Sequence, residues 1–301
     1  MKLVISASPH IDSGATTRKI MGDVLIALCP ALIAAIVIFG WRALLVTAVC
    51  AAACVFFEWG FERLCHKEST IGDLSAVVTG VILAYNLPVS IPLWQAVFGC
   101  LVAIVAVKQL FGGIGKNFAN PALVGRIVLF LSFSKTMTAW VFPDAVSSAT
   151  PLAQLAAGQK PELWTLLLGN HGGCIGETCA LALLLGGAYL LLRGVITWQT
   201  PVCFVGTVFV LSLILGQDAV RQILSGGLLL GAFFMATDYV TAPQTCWGRA
   251  LFGIGAGLLT CLIRFYGSYA EGVSFAILFM TILTPYLSKW TRSKPLGGVP
   301  A

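Results

Sequence analysis

Four carboxylates lie at or within the ends of long apolar blocks, where an ionisable side chain is costly. They are Asp73, Glu177, Asp238 and Glu271. A charged group inside a bilayer costs at least a few kcal/mol, so each of the four is a candidate functional residue. Asp73 and Glu177 stand early in their blocks, which favours a helix-capping role. Asp238 and Glu271 stand at breaks in the pattern, so a structural and a functional interpretation both stay open for them.

A second polar segment follows the fifth apolar block and reads Asp144-Ala145-Val146-Ser147-Ser148-Ala149-Thr150-Pro151-Leu152. Taken alone, it is an Asp/Ser turn followed by Thr-Pro. Such turns commonly introduce a helix, because a Ser or Asp oxygen accepts hydrogen bonds from the first free backbone amides. The residues by themselves therefore favour a helix-entry turn.

The elements that position these residues are apolar blocks of membrane-spanning length. Of the 301 residues, 58% are hydrophobic and 10% are charged, whereas a soluble domain carries about 25% charged residues. A spanning helix needs about 20 apolar residues in a row. Blocks that approach this length are 20–39, 43–62, 91–111, 122–141, 174–192, 200–216 and 248–264, and shorter ones are 72–87, 223–237 and 272–287. The predicted fold class is an all-α polytopic membrane protein with about ten transmembrane helices.

The basic residues between the blocks predict the orientation of the chain. The formal net charge is +6, but Lys and Arg stand in short loops and not on one soluble face, so no nucleic-acid partner is expected. With a cytoplasmic N-terminus and ten spans, 13 basic residues fall inside, among them Lys108 and Arg126, and 5 fall outside, among them Arg264. Positive loops stay cytoplasmic. We therefore expect a multi-pass protein of the cell inner membrane with both termini in the cytoplasm.

Three familiar sequence features are missing. No separate signal peptide is predicted, because the first apolar run, near Ile20, already has full span length. The ten cysteines contain no C-x-x-C pair and stand mostly inside blocks, where Cys behaves as a small buried hydrophobe. A metal site is therefore not expected. No Gly-rich strand-to-helix fingerprint for NAD follows a predicted strand.

The chain reads as two similar halves of five elements each. The predicted parts are residues 1–141, an extracytoplasmic loop at 142–173, and residues 174–301. Short polar motifs recur in the same order in both halves, about 151–156 residues apart. Five is an odd number of spans, so the second half must be inverted relative to the first. Ligand sites in such proteins tend to lie at the repeat interface.

The short third and eighth elements, which end at Asn86 and Asp238, form the central pair of this predicted interface. The breaks near Asn120 and Glu271 are expected to face the same region from opposite sides of the membrane. Irregular backbone at membrane depth persists only where protein or a cavity satisfies its polar groups. The sequence therefore predicts a second cofactor or an ion path near Asp238, Glu271 and Asn120.

The polar segment at 144–150 resembles the flavinylation motif of the D subunit of Rnf electron-transport complexes and of its relative, the B subunit of the Na+-translocating NADH:quinone oxidoreductase. That pattern reads Asp, two residues, Ser or Thr, Gly, Ala, Thr. Asp144, Ser147, Ala149 and Thr150 match it, and Ser148 stands where Gly is usual. The resemblance implies that the Thr150 oxygen carries FMN through a phosphoester, installed by a separate flavin transferase.

A cleaner copy of the motif's core occurs near the N-terminus, in Ser13-Gly14-Ala15-Thr16. The position six residues before Thr16 is His10, where the motif requires Asp. This copy also lies on the predicted cytoplasmic side, whereas the family's flavin is attached on the outer face. Thr150 is therefore the preferred attachment site.

Other segments, spread over most of the chain, resemble the same family. Tyr239 and Ala270 are departures, since each stands where the family usually has Pro. The segments are Ser8-Pro9-His10 with Met21 and Ala27-Leu28-Cys29-Pro30-Ala31, Phe111-Gly112-Gly113-Ile114-Gly115-Lys116-Asn117-Phe118-Ala119-Asn120-Pro121-Ala122, Phe234-Met235-Ala236-Thr237-Asp238-Tyr239-Val240-Thr241-Ala242-Pro243, and Tyr269-Ala270-Glu271-Gly272-Val273.

The resemblance implies a membrane component that relays electrons between ferredoxin and NAD within a complex that moves Na+ or H+. The flavin ring performs the redox chemistry, and the protein sets its position and potential. A second, non-covalent flavin, riboflavin in the family, is compatible with the repeat interface. The implied partners are other Rnf subunits, including the flavinylated G subunit, the flavin transferase and membrane lipid. The alternative class is an inverted-repeat solute channel or transporter without a redox cofactor, since fold alone does not define function.

Overall fold

The apolar blocks form helices, and ten of these carry the fold. A computed structural model describes residues 15–140, 150–267 and 272–292. The first half contains α1 (Thr17–Phe39), α2 (Trp41–Leu64), α3 (Ser75–Tyr85), α4 (Leu93–Gln109) and α5 (Pro121–Ser132). The second half contains α6 (Ala180–Leu192), α7 (Gln199–Ile214), α8 (Leu228–Leu230, continued as a π-helical turn over Gly231–Met235), α9 (Cys246–Tyr266) and α10 (Val273–Trp290). Short helices at Ile71–Asp73, Ser134–Met137, Pro151–Ala156, Leu163–Leu168 and Ala219–Leu224 connect them.

The predicted all-α polytopic membrane fold is confirmed. Within the described ranges no strand forms, and α1, α2, α9 and α10 are long and apolar enough to cross a membrane. Five further apolar helices of 10–17 residues accompany them. The third element is short, as predicted, with 11 residues in α3.

Three predicted block lengths are wrong. The block at 122–141 yields a helix that already ends at Ser132, because the backbone turns out of the helical region at Phe133. The block at 174–192 yields a helix that begins only at Ala180, since the residues before it pair with the end of α3. The block at 272–287 was expected to be short, but it forms the 18-residue helix α10.

The same pairs of helices pack together in both halves. Helix α2 packs on α4 as α7 packs on α9, and α4 packs on α5 as α9 packs on α10. Glycine allows a close approach in the second half, where a Cβ on Gly253 would lie 2.7 Å from the carbonyl oxygen of Thr200. Small residues serve this purpose in membranes, where helices associate through close packing. The domain boundaries and the inversion of the second half stay predictions.

Hydrogen bonds at the starts of two helices explain why polar residues stand at positions 73 and 120. Asp73 accepts a hydrogen bond from the Ser75 amide at 2.8 Å at the start of α3, in line with the structural interpretation. Asn120 accepts from the Ala122 amide at 3.0 Å, and Pro121 occupies the first position of α5. Both arrangements satisfy or remove backbone donors that a helix leaves free at its N-terminus.

Candidate functional site

The segment before α6 lies against the end of α3. The Ile175 amide donates to the Leu87 carbonyl at 3.0 Å, and the Gly176 amide donates to the Tyr85 carbonyl at 2.9 Å. A Cβ on Gly176 would lie 2.3 Å from the Cβ of Tyr85, so this approach requires glycine. The buried Glu177 accepts from the Cys174 amide at 3.1 Å. Its carboxylate therefore stabilises the segment locally, in line with the structural interpretation.

Helix α5 contributes a buried guanidinium to this junction. Arg126 donates to the side-chain oxygen of Asn86 at 3.1 Å and to the hydroxyl of Ser274 on α10. The Asn86 amide nitrogen also contacts the sulfur of Met235 at 3.4 Å. The ends of α3 and α8 thus meet through Asn86 and Met235. The predicted loop position of Arg126 is wrong, because its side chain lies inside the protein.

A cavity of about 410 Å³ opens between elements of the two halves. Asn120 and Asp238, two of the three residues predicted at the repeat interface, both line it. The third, Glu271, lies outside the described residues. Polar groups on the wall include Asn117 and Tyr239, and the apolar part includes Ile20, Met21, Val24, Val78, Ile82, Phe233 and Phe234. A mostly apolar cavity of this size with a few polar groups is typical of small-molecule and cofactor sites.

Asp238 is held by its own turn at the edge of this cavity. Its carboxylate accepts from the Thr241 hydroxyl at 3.0 Å and from the Val240 amide at 3.5 Å. The carboxylate therefore has a local structural partner and also faces the cavity. Both interpretations given for Asp238 remain compatible with this geometry.

A buried charge cluster on the same wall was missed by the sequence analysis. Lys108, predicted to stand in a loop, is only 2% exposed, and that assignment is wrong. Its ammonium group lies 2.7 and 2.8 Å from the two carboxylate oxygens of Glu58, which is fully buried on α2. Lys108 also donates to the Ser75 hydroxyl at 2.6 Å. The sequence signal that could have revealed this cluster was an acidic residue inside the apolar block 43–62. An acidic side chain inside a membrane is energetically costly unless it is paired.

Thr150, the predicted attachment residue, begins the short helix Pro151–Ala156. Its hydroxyl oxygen accepts from the Ala153 amide at 3.3 Å, so the helix-entry interpretation is confirmed for this residue. Thr16 makes the same contact with the Lys19 amide, also at 3.3 Å. The helix-capping geometry therefore does not distinguish Thr150 from Thr16 as the attachment site. The rest of the motif, Asp144, Ser147, Ser148 and Ala149, lies outside the described residues.

A second cavity, of about 300 Å³, lies beside the helix that Thr150 begins. Leu152 and Leu155 of this helix line it, together with Gln222, Arg264 and Tyr266. Arg264 donates to the Gln222 carbonyl at 2.7 Å. Arg264, predicted to belong to an outer segment, is buried in the last turn of α9, and the side of the membrane on which it lies stays a prediction. This cavity therefore combines an apolar wall, a guanidinium and an exposed aromatic ring.

Two titratable side chains outside the spanning helices have shifted pKa values. Burial lowers the pKa of His171, against smaller opposing effects that include its contact with the Gly172 carbonyl and the charge of Glu177. Burial alone would raise the pKa of Asp218, but hydrogen bonds from Arg221 and its charge lower it overall. Asp218 is thus held ionised at the start of a short helix. The described ranges contain no group of three or more His, Cys, Asp or Glu side chains placed to hold a metal.

The apolar helices and the two cavities between them define a multi-pass membrane protein with internal sites. The chain belongs to the NQR2, RnfD, RnfE family, whose model matches residues 4–297. This membership confirms the family resemblance seen in the motifs.

Several relatives are similar over nearly the whole chain. The D subunit of the Na+-translocating ferredoxin:NAD+ oxidoreductase complex of Acetobacterium woodii is 45% identical, over 99% of this chain and 96% of that protein. The D subunit of the proton-translocating ferredoxin:NAD+ oxidoreductase complex of Clostridium ljungdahlii is 40% identical, over 97% and 96%. The D subunit of the ion-translocating oxidoreductase complex of Halorhodospira halophila is 35% identical, over 97% and 94%.

Proposed function

We propose that this chain is the D subunit of an ion-translocating ferredoxin:NAD+ oxidoreductase complex in the cell inner membrane. The observation that carries the proposal is its similarity, at 45% and 40% identity and nearly full length, to two proteins that bear this name. One of these names specifies Na+ and the other protons, so the similarity does not choose between the two ions. The chain would act within the complex and not as an independent enzyme.

The electron relay in this proposal is FMN joined to Thr150 through a phosphoester. Thr150 is partly exposed, which supports modification by a flavin transferase on the predicted outer face. The helix that follows it forms one wall of the 300 Å³ cavity. Arg264 and Tyr266 line the same cavity, and in this proposal they place a positive charge and an aromatic face against the attached flavin. The flavin supplies the redox chemistry when bound, and these residues hold and orient it.

A substitution of Thr150 tests this attachment directly. Thr150→Ala should abolish the ultraviolet fluorescence of the denatured protein band, and Thr150→Ser, which keeps the hydroxyl, should retain flavin. Thr16→Ala is the matched control, because it also removes a helix-capping hydroxyl, at a cost of about 1 kcal/mol. Mass spectrometry of the tryptic peptide that contains Thr150 identifies the added group. Flavin that persists in the Thr150→Ala protein would exclude this site.

The larger cavity is the proposed site of a second, non-covalent flavin, riboflavin in the family. Asn117, Asn120 and Asp238 offer hydrogen-bonding groups on its wall, and Phe233 and Phe234 offer aromatic contacts. A flat ring system with a polar edge matches such a mixed lining, because aromatic side chains stack on its faces while amides bind its edge. Ion passage near Asp238, Asn120 and Glu271 is the other role proposed for this region.

The partners in this proposal are the other Rnf subunits, including the flavinylated G subunit, and the lipid bilayer. Large apolar side chains cover much of the outside of the helices, among them Val37, Leu192 and Trp290, which are more than three-quarters exposed. Extended apolar surface of this kind marks contact with lipid or with neighbouring membrane proteins of the complex.

A solute channel or transporter is the second candidate function. The cavity between the two halves favours it, since transporters of this architecture bind solutes there. Flavin fluorescence of the denatured band discriminates between the two functions, because a channel carries no covalent flavin.

A further inference from the structure

The guanidinium of Arg249, in the first turn of α9, is held by two uncharged groups. Its Nε donates to the Pro243 carbonyl at 3.1 Å, and its Nη1 donates to the Thr197 hydroxyl at 3.2 Å. Among the described residues, no carboxylate lies within ion-pair distance of this side chain. A guanidinium carries five N–H donors in a fixed plane, and two of them suffice for these contacts. Arg249 is therefore an oriented positive charge with donors left for a further ligand.

A small cavity of about 40 Å³ lies beside Arg249. Thr197, Thr200 and Gln244 add polar side chains to its lining. One water molecule needs roughly 10–15 Å³ of cavity volume, so the space takes a group of about three waters in size. That is the size of a phosphate group, whereas a flavin ring system does not fit. Arginine is well suited to phosphate, because its planar fork binds two oxygens at once.

Asp238 is the other charged residue on the wall of this small cavity. Its two carboxylate oxygens are directed at its own turn, where they accept from the Thr241 hydroxyl at 3.0 Å and from the Val240 amide at 3.5 Å. The charge of Asp238 is therefore satisfied within the turn, and it forms no ion pair with Arg249. An anion that enters the cavity thus finds its donors on Arg249 and on the threonine hydroxyls.

Exposed tryptophans accompany the two segments that hold Arg249. Trp198 and Trp247 are 59% and 78% exposed, and each stands within two positions of a residue of the contact between Thr197 and Arg249. Trp290, 77% exposed, ends α10, and the residue after it contacts the segment directly before α9. Tryptophan rings of membrane proteins lie at the level of the lipid headgroups. The small cavity therefore lies at the depth of the lipid phosphates.

Two further cations stand at this end of the molecule. Lys289 and Arg292, in and just after the last turn of α10, are exposed, and no carboxylate of the described residues pairs with them. Positive groups at the membrane surface attract anionic lipids, and basic pockets between membrane helices bind their headgroups. We propose that Arg249 binds the phosphate of an anionic phospholipid in the 40 Å³ cavity, with Trp198 and Trp247 against the glycerol and acyl region of that lipid.

The lipid site shares a wall with the 410 Å³ cavity. The residues that line both cavities are Val195, Ile196, Thr237, Asp238 and Tyr239. The Tyr239 hydroxyl donates to the Val195 carbonyl and so ties the two segments of this wall together. Arg249 holds the far ends of the same segments at Thr197 and Pro243. A lipid that fixes Arg249 should therefore stiffen the wall of the larger cavity.

Lipid-dependent thermal unfolding of the full-length protein tests this site. The protein is delipidated in a neutral detergent, and phosphatidylglycerol or phosphatidylcholine with the same acyl chains is added at constant ionic strength. Phosphatidylglycerol should raise the Tm of the wild type in a saturable manner, because it binds the folded state, and phosphatidylcholine should not. Arg249→Gln should lose the shift. Arg18→Gln is the matched control, because it removes an equal charge from an exposed position at the start of α1, and it should keep the shift.

A second arm separates a lipid from a free anion. Inorganic phosphate replaces phosphatidylglycerol at the same ionic strength, and it should leave the Tm unchanged, because it lacks the part of the ligand that lies against the tryptophans. Arg249→Lys keeps the charge but loses the two-point binding of the planar fork. This variant should therefore weaken the phosphatidylglycerol shift, and it serves if Arg249→Gln fails to fold.

Three results would overturn the proposal. The first is a wild type without a phosphatidylglycerol shift, as expected if an acidic segment of a neighbouring subunit is the partner of Arg249. The second is an Arg249→Gln protein that keeps the shift or loses no more of it than Arg18→Gln does, which would indicate general attraction of anionic lipid. The third is a shift induced by inorganic phosphate and abolished in Arg249→Gln, which would assign the cavity to a free anion. None of these readouts requires flavin or electron transfer, so a failure here is distinguishable from a failure of the proposed function.

Discussion

Lys108 and Arg264 stand near the ends of α4 and α9, the fourth main helix of each half, and both cations are buried but held by different groups. Lys108 forms an ion pair with Glu58, with 2.7 Å between Nζ and Oε1. Arg264 donates to the carbonyl oxygens of Gln222 and Ser225 at 2.7 and 2.9 Å. Each cation lines one of the two cavities. The two halves therefore share a buried positive charge and differ in the groups that surround it.

Removal of the Lys108 charge should destabilise the protein strongly. Lys108→Met leaves Glu58 buried without its cation, which costs about 3–5 kcal/mol. The double variant with Glu58→Gln should recover much of that loss, because no unpaired charge remains. The free energy of unfolding in detergent micelles, measured by denaturant titration, checks both values. The exposed Lys116→Met is the control, and an equal effect of the two lysine substitutions would contradict the buried ion pair.

Tyr266 should contact the ring of the flavin attached to Thr150. Tyr266→Ala removes an aromatic contact worth about 0.5–1.5 kcal/mol, which changes the docked population by about 2- to 10-fold. The native flavin fluorescence should then rise, because aromatic quenching is lost, while the amount of covalent flavin stays the same. Tyr286→Ala on α10, also exposed, should leave the fluorescence unchanged. A Tyr266→Ala protein with unaltered native fluorescence would argue against docking in this cavity.

The polar wall of the larger cavity should be required for the second flavin. Asn120→Ala and Asp238→Ala should reduce the flavin released on denaturation, and coupled electron transfer should fall while Thr150 stays flavinylated. Glu271→Ala is expected to impair coupling in the same way. Thr245→Ala is the control. It removes a helix-capping side chain from α9, as Asn120→Ala does from α5, but at a site outside this cavity. If the Asp238 and Glu271 variants keep normal coupled activity at normal abundance, the role of these carboxylates is structural only.

The orientation of the chain should follow the distribution of basic residues. Alkaline phosphatase fused near Gln159 should be active, because loop 142–173 is predicted to be extracytoplasmic. The same enzyme fused at the C-terminus should be inactive. The reverse pattern would refute the predicted orientation, and with it the attachment of flavin on the outer face.

Stability should fall at acidic pH because of His171. Burial lowers the pKa of His171 in the folded protein, so the unfolded state binds more protons below the ordinary value of about 6.5. Stability is therefore highest above about pH 6.5 and is lost as pH falls towards the lowered folded value. His171→Gln should flatten the dependence of Tm on pH in this range. The exposed His66→Gln should not, and an unchanged profile in the His171 variant would assign the acid sensitivity elsewhere.

The sequence by itself determined the class of protein, the family and most of the elements. Apolar blocks of span length need no tertiary information to be recognised, because hydropathy is a property of consecutive residues. Family motifs such as the Gly-rich turn before Asn120 are also local. The same holds for Thr150, whose position at a helix start follows from the Thr-Pro pair.

Only the tertiary structure decided which polar residues meet. Lys108 looks like a loop residue along the chain, yet it is buried against Glu58, which precedes it by a span and a loop. Arg126 likewise reaches Asn86 and Ser274, which belong to different halves. Such contacts join residues far apart in sequence. They cannot be predicted by assigning each loop to one side of the membrane. Burial of a charge depends on a partner brought by another helix, so helix packing, and not local hydropathy, determines where these charges lie.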